Sequence, residues 1–241
     1  MPSTAWPRAK ALLQRRLPPL RGQCLLCRQW GPARLCQRCL DQQPRRAGHL
    51  LACKRCALPL AEQAGPCCLA CQRAAPPLDL CVAALDYHHP WDRLLLDFKF
   101  NERPQLARPL AALMLEALLA LPQPDLLCCV PLSAEGLTRR GYNQSHELAR
   151  RVAGPLSLPY EPRLLVRLPG LPQSRLDAQA RRRNARGAFI LAPGAADRLR
   201  GARIAVLDDV MTTGATLNEI AMVLKRAGAR EVWGWVLMRA R

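Results

Sequence analysis

The run Ile204-Ala205-Val206-Leu207-Asp208-Asp209-Val210-Met211-Thr212-Thr213-Gly214-Ala215-Thr216 restricts the fold more than any other part of the chain. Unbroken strand-forming aliphatics end in two adjacent carboxylates, which lead into a Thr/Gly loop that opens a helix. Leu217, Ile220, Ala221 and Leu224 recur with helical period, Thr216 and Glu219 stand in capping-box relation, and Gly228 supplies the stop. Val232 to Met238 then reads as another buried strand. Strand, loop, helix and strand in this order form the βαβ unit of a parallel sheet, so the expected fold class is α/β.

In such sheets ligands bind at the carboxyl ends of strands, where a helix N-terminus adds free amides and partial positive charge. Thr212, Thr213 and Thr216 add hydroxyl donors, and Gly214 allows close approach of the backbone or a positive φ. The loop lacks the Gly-Lys-Ser/Thr of a Walker loop, which disfavours a nucleotide triphosphate. Asp208 and Asp209 would repel a bare phosphate; they suit a ligand that also offers hydroxyls, as a ribose does, or a bound cation. This pattern resembles the 5-phosphoribosyl-1-pyrophosphate (PRPP) motif of type I phosphoribosyltransferases.

The chain carries 12 cysteines, and eight of them form four CxxC knuckles: Cys24 with Cys27, Cys36 with Cys39, Cys53 with Cys56, and Cys68 with Cys71. Two knuckles close one tetrahedral thiolate site, so two structural zinc ions are expected, with no open position for catalysis. Pairing in chain order is simplest; crossed pairing and a swap of Cys67 for Cys68 stay open. Arg28, Arg34, Arg38, Lys54, Arg55 and Arg73 interleave with these ligands and could face a phosphate backbone. The formal net charge is +18, nearly all from arginine, and two zinc-thiolate sites would leave it strongly positive. Such a balance favours polyanionic partners. No apolar run long enough to span a membrane occurs, and the basic N-terminus lacks the apolar core of a signal peptide, so a cytoplasmic protein without membrane insertion is expected.

Residues 1–22 read as a lead-in, 23–75 as a double zinc-ribbon module, and 78–241 as the α/β domain. Within that domain Leu80 to Asp86 is expected as a strand, Trp91 to Phe98 as a short helix, Pro104 to Leu121 as a long one, and Leu126 to Val130 as a buried strand. Lys99 sits at a junction, either solvated or within reach of an anion. His146 reads as a helix-surface residue. Pro131-Leu132-Ser133 turns off a strand end ahead of Arg139 and Arg140, which suggests a second anion site on the same sheet edge, followed by a helix to about Val152. Residues of about 166–187, with Arg181, Arg182 and Arg183, read as a mobile flap.

The Val-Pro-Leu turn, the Arg-Gly-Tyr-Asn-Gln string (Arg140 to Gln144) and the Asp-Asp-Val-Met-Thr-Thr-Gly-Ala-Thr loop, behind a double CxxC module, resemble the ComF family. That family includes competence proteins linked to DNA uptake in natural transformation, and gluconate-locus relatives. The resemblance implies a type I phosphoribosyltransferase-like parallel sheet with flanking helices behind a small zinc-ribbon module. It further implies that Asp208 and Asp209 hold the ribose hydroxyls of PRPP, and that Met211, Thr212, Thr213, Gly214, Ala215 and Thr216 cradle its 5-phosphate. Leu132 and Ser133 would lie at the pyrophosphate, which magnesium bridges and Arg139, Arg140 or the flap arginines neutralise. One departure counts: Thr212 stands where purine-salvage enzymes of this fold place an acid, so a purine acceptor is not expected. Two functions follow. One is a PRPP-binding protein of DNA uptake that touches single-stranded DNA or a helicase. The other is an active phosphoribosyltransferase of unidentified acceptor.

Overall fold

The structure is a computed structural model that describes residues 22–42, 52–61, 65–169 and 187–240. The expected lead-in and most of the expected flap, including Arg181 to Arg183, lie outside the described residues. The chain divides into two compact units, Met1–Gln43 and Pro44–Arg241.

In the first unit, β1 (Gly22–Gln23) pairs antiparallel with β2 (Trp30–Gly31), and helix α1 (Gln37–Asp41) follows. The knuckle between the strands closes through Arg28 N–H donating to the Cys24 carbonyl at 3.0 Å, with Arg28 in the left-handed region at φ 63°. The second unit opens on the same device. Ala57 N–H donates to the Cys53 carbonyl at 2.7 Å, Ala57 has φ 56°, and the second cysteine pair sits on a short helix, α2 (Leu69–Arg73).

The rest of the second unit is built on four parallel strands: β3 (Leu80–Asp86), β4 (Leu126–Cys129), β7 (Arg203–Met211) and β8 (Glu231–Arg239), in the order β3-β8-β7-β4. Ile204, Ala205, Val206 and Leu207 are fully buried, as expected for a continuous aliphatic run in a sheet covered on both faces. Helices α3 (Trp91–Phe100), α4 (Ala107–Leu118), α5 (Ala134–Arg140), α6 (Gln144–Ala153) and α7 (Ala215–Arg226) flank it. Of these, α4 and α6 pack on each other and against sheet strands, while α7 packs on β8 and on the short hairpin of β5 (Leu165–Arg167) with β6 (Phe189–Leu191). The α/β class expected from the sequence is the one observed. No described helix is long and apolar enough to cross a membrane.

Several local expectations change. The long helix begins as a 3-10 turn at Pro104–Leu106 and becomes α-helical only at Ala107. The Thr216–Glu219 capping box does not form, because α7 starts two residues earlier, capped by Gly214 at φ 78°. Glu219 is instead buried and accepts the Gly187 N–H at 2.7 Å. His146 is half-buried, and its Nδ1 lies 2.7 Å from the Tyr160 hydroxyl.

Candidate functional site

Because β4 and β7 are neighbours in a parallel sheet, their carboxyl ends open side by side, and the loops that leave them face one cleft. After β4, Ser133 caps α5 by accepting the Gly136 N–H at 3.2 Å, and Gly141 at φ 73° ends that helix. The Asn143 side chain then fixes the entry to α6: it accepts from the Ser145 and His146 N–H groups and donates to the Val130 carbonyl at 3.0 Å. After β7, the chain turns through Met211 to Gly214 into α7. Gly214 takes the left-handed turn at φ 78° that favours glycine, and the flexible end of the Met211 side chain occupies the space where a Cβ would lie.

The cleft between these loops holds about 500 Å³. Leu132, Ser133, Arg139, Arg140, Asp208, Asp209, Met211, Thr212, Thr213, Gly214, Ala215 and Thr216 all line it. These twelve residues are thus brought to one place, while the flap arginines Arg181 to Arg183 lie outside the described residues. The cleft also gathers residues the sequence reading did not assign: Tyr87, Leu96 and Phe100 from the β3–α3 region, Gln144 and Ser145 from α6, and Arg167 from β5. Arg140 stacks over the Phe100 ring at 5.5 Å and donates to Gln144 Oε1 at 3.1 Å, which links α5 to α3 and α6.

The two carboxylates have different surroundings. Asp209 is buried, and Lys99 Nζ meets its Oδ1 at 2.9 Å, so the lysine at the α3 end is an ion-pair partner. Asp208 is half-buried; its Oδ1 accepts from Ser145 Oγ at 3.0 Å and from the Asp209 N–H at 2.9 Å. Desolvation first, and then the charge of Asp209, push the Asp208 carboxyl up to about 7, against the opposing pull of Lys99 and of its two hydrogen bonds. The arrangement offers carboxylate acceptors beside a loop of amides and hydroxyls at a helix N-terminus, with Arg139, Arg140 and Arg167 also in the lining.

Cys24, Cys27, Cys36 and Cys39 form one group and Cys53, Cys56, Cys68 and Cys71 another; the sulfurs in each lie within 4.8 Å of one another. Chain-order pairing is the one observed, and Cys68 rather than Cys67 belongs to the second group. Burial raises the Cys24 and Cys53 thiols, but backbone N–H groups outweigh it and bring them down to about 6 and about 7. Burial and the neighbouring sulfurs push Cys39 up to about 12, and burial pushes Cys56 up to about 11. Four sulfurs this close suit a tetrahedral divalent ion such as zinc, whose charge would stabilise all four thiolates together.

No protein-family model matches the chain. Among curated proteins it is similar to the DNA utilization protein YhgH of Salmonella typhi, 34% identical over 231 residues that cover 90% of this chain and 97% of that protein. It is also similar to competence protein F of Haemophilus influenzae, 34% identical over 180 residues, 72% of this chain and 78% of that one. Among solved structures, the glutamine PRPP amidotransferase of B. subtilis complexed with ADP and GMP aligns with a TM-score of 0.39 and 21% identity, over 58% of this chain and 30% of that chain. Identity of this extent across nearly the full length of YhgH means that the chain belongs to the family of competence protein F and DNA utilization protein YhgH, the ComF family.

Proposed function

We propose that the chain binds magnesium-PRPP in the cleft at the ends of β4 and β7 and acts in DNA uptake, in contact with single-stranded DNA or a helicase. The observation that carries this reading is the junction of Asp208 and Asp209 with the Met211 to Thr216 loop at the α7 N-terminus, inside one cleft. Neither half suffices alone. A phosphate suits the loop, and a diol suits the carboxylates, so the pair describes a sugar phosphate with free hydroxyls. Leu132 and Ser133 would meet the pyrophosphate, Arg139 and Arg140 would neutralise it, and magnesium would come bound to the pyrophosphate oxygens. Zinc would fill the two cysteine groups as a structural ion. The relatives' names, DNA utilization protein and competence protein F, support the DNA-uptake half, as does the net charge of +18.

The second reading, an active phosphoribosyltransferase with an unidentified acceptor, is favoured by the open wall of Tyr87, Leu96 and Phe100 beside the same loop, which has room for a second reactant. Thr212 supplies no proton-transfer group for a purine. The two readings separate in an assay of pyrophosphate release from magnesium-PRPP with panels of acceptors and of single-stranded oligonucleotides. The binding role predicts saturable PRPP binding with release at the hydrolysis background; acceptor-dependent release above that background selects the enzyme.

A further inference from the structure

Arg239, the last residue of β8, has only 5% of its surface exposed, and its guanidinium sits where the second cysteine group meets the cleft loop. Its Nε donates to the carbonyl of Cys56 at 2.7 Å, and one terminal nitrogen donates to the carbonyls of Met211 at 3.0 Å and Thr212 at 2.5 Å, and to that of Ala240. We infer that Arg239 is a positioning residue that makes the shape of the Met211 to Thr216 loop depend on the second cysteine group. The inference rests on the reading that this loop holds the phosphate of PRPP.

The peptide unit explains how such a contact acts at a distance. In a trans peptide the carbonyl of one residue and the N–H of the next point in opposite directions. Holding the Met211 and Thr212 carbonyls on the guanidinium therefore turns the N–H groups of Thr212 and Thr213 away from it, and both residues line the cleft. A buried guanidinium tolerates desolvation only while its donors are met, so the acceptors on its two sides stand or fall together. Cys56 belongs to the second group, and its knuckle is tied twice more, to β3 and to the segment entering it: the Cys81 N–H donates to the Lys54 carbonyl at 2.6 Å, and Arg55 donates to the Leu78 carbonyl at 2.9 Å. On the loop side, the Met211 side chain takes a contact from Cys81 Sγ at 3.4 Å and fills the space beside Gly214. A metal ion that fixes Cys56 thus fixes one anchor of Arg239, and through it the amides offered to an anion.

The test uses the full chain with metal content measured, comparing the parent with Arg239→Met and Arg239→Lys. Amide hydrogen exchange over residues 211–217 reads the loop directly, and calorimetry with magnesium-PRPP reads affinity. Arg239→Met should retain both metal ions, speed exchange in the loop but not in β3, and weaken magnesium-PRPP by about tenfold, a usual size for coupling between sites. Arg239→Lys, which keeps a cation but fewer donors, should fall between. Graded chelation of the parent should speed loop exchange as the second group empties. Unchanged loop exchange and affinity in metal-replete Arg239→Met overturn the inference, and so does an increase spread over the whole sheet, which marks a merely structural residue. Loop exchange that follows Arg239 and the metal in a parent that ignores magnesium-PRPP supports the coupling and overturns the ligand reading.

Discussion

The two cysteine groups share one local design and stand in different surroundings. Each begins with a knuckle whose following residue is left-handed, Arg28 or Ala57, and each places its second pair on a five-residue helix, with Cys36 or Cys68 at the N-cap. The first group is served by a hairpin of two-residue strands, and Cys27 is exposed. In the second, Cys53 and Cys56 belong to a hydrophobic core with Cys81, Val206, Leu217 and Val236, and Cys56 is hydrogen-bonded to Arg239. The same four-thiolate chemistry thus closes a small module in one case and completes the wall of the sheet in the other. Ligand spacing decides which cysteines meet; what surrounds them decides how much of the molecule depends on the meeting.

The largest expected effect tests that difference in dependence. Cys53→Ser with Cys56→Ser removes two thiols from a site where a bound metal would contribute folding energy, and should lower the main calorimetric transition by roughly 10 °C or more or abolish it. Cys27→Ser with Cys36→Ser should leave that transition within about 2 °C of the parent, because the sheet unit does not contain them. Equal losses from the two pairs, measured by scanning calorimetry on metal-replete protein, would erase the distinction.

A smaller effect should separate the groups in the opposite sense. Arg28, Arg34 and Arg38 are all exposed around the first group, whereas Arg55 in the second is spent on the Pro76 and Leu78 carbonyls. Replacing the first three by Ala should weaken single-stranded DNA binding and reduce the slope of log affinity against log salt by about 0.7 for each lost phosphate contact. Replacing Lys54, Arg55 and Arg73 should reduce it less. Fluorescence anisotropy over a salt series measures both, and an equal change in slope would show that the first group is not the favoured DNA contact.

The expected fold was legible where a pattern is local. Aliphatic runs marked β3, β4, β7 and β8, and four CxxC pairs marked the cysteine groups, although only the folded positions decide between chain-order and crossed pairing and between Cys67 and Cys68. Helix α5 escaped notice because Ala134–Arg140 carries Gly136 and two arginines but no buried residue, so no hydrophobic period announces it; the Ser133 cap was the available signal. The start of α7 was misread because a Thr-x-x-Glu pattern outweighed a glycine at the true cap. Contacts made across the fold left no trace at all. Lys99 reaches Asp209, Ser145 reaches Asp208, and Arg239 reaches Cys56, each across a long stretch of intervening chain.

The smallest effect is a control that should spare both cysteine groups. Asp208 has its folded-state carboxyl raised to about 7. As pH climbs from about 4 towards 7, the unfolded chain releases this proton while the folded chain keeps it, so the parent loses stability across that window and no more above it. Asp208→Asn avoids the loss. Its gain over the parent should be absent below about pH 4, grow to on the order of 1–3 kcal/mol near pH 7, and then level off. Chemical denaturation at several pH values measures it, and a gain independent of pH would mean that Asp208 is not a strained carboxylate. In the parent, by the same titration, affinity for a diol should improve as pH rises through about 7.

The most direct test of the central claim is calorimetric titration of magnesium-PRPP into the parent and into Asp208→Asn with Asp209→Asn, a change that keeps the shape of both side chains and removes their charges. Loss of charge-assisted hydrogen bonds to a diol is worth about 1.5–3 kcal/mol for each, so the double variant should bind about a hundredfold to ten-thousandfold more weakly, while its melting sets the relief at Asp208 against the loss of the Lys99 partner of Asp209. A double variant that melts like the parent and binds magnesium-PRPP equally well would contradict the assignment of this cleft to a ribose phosphate.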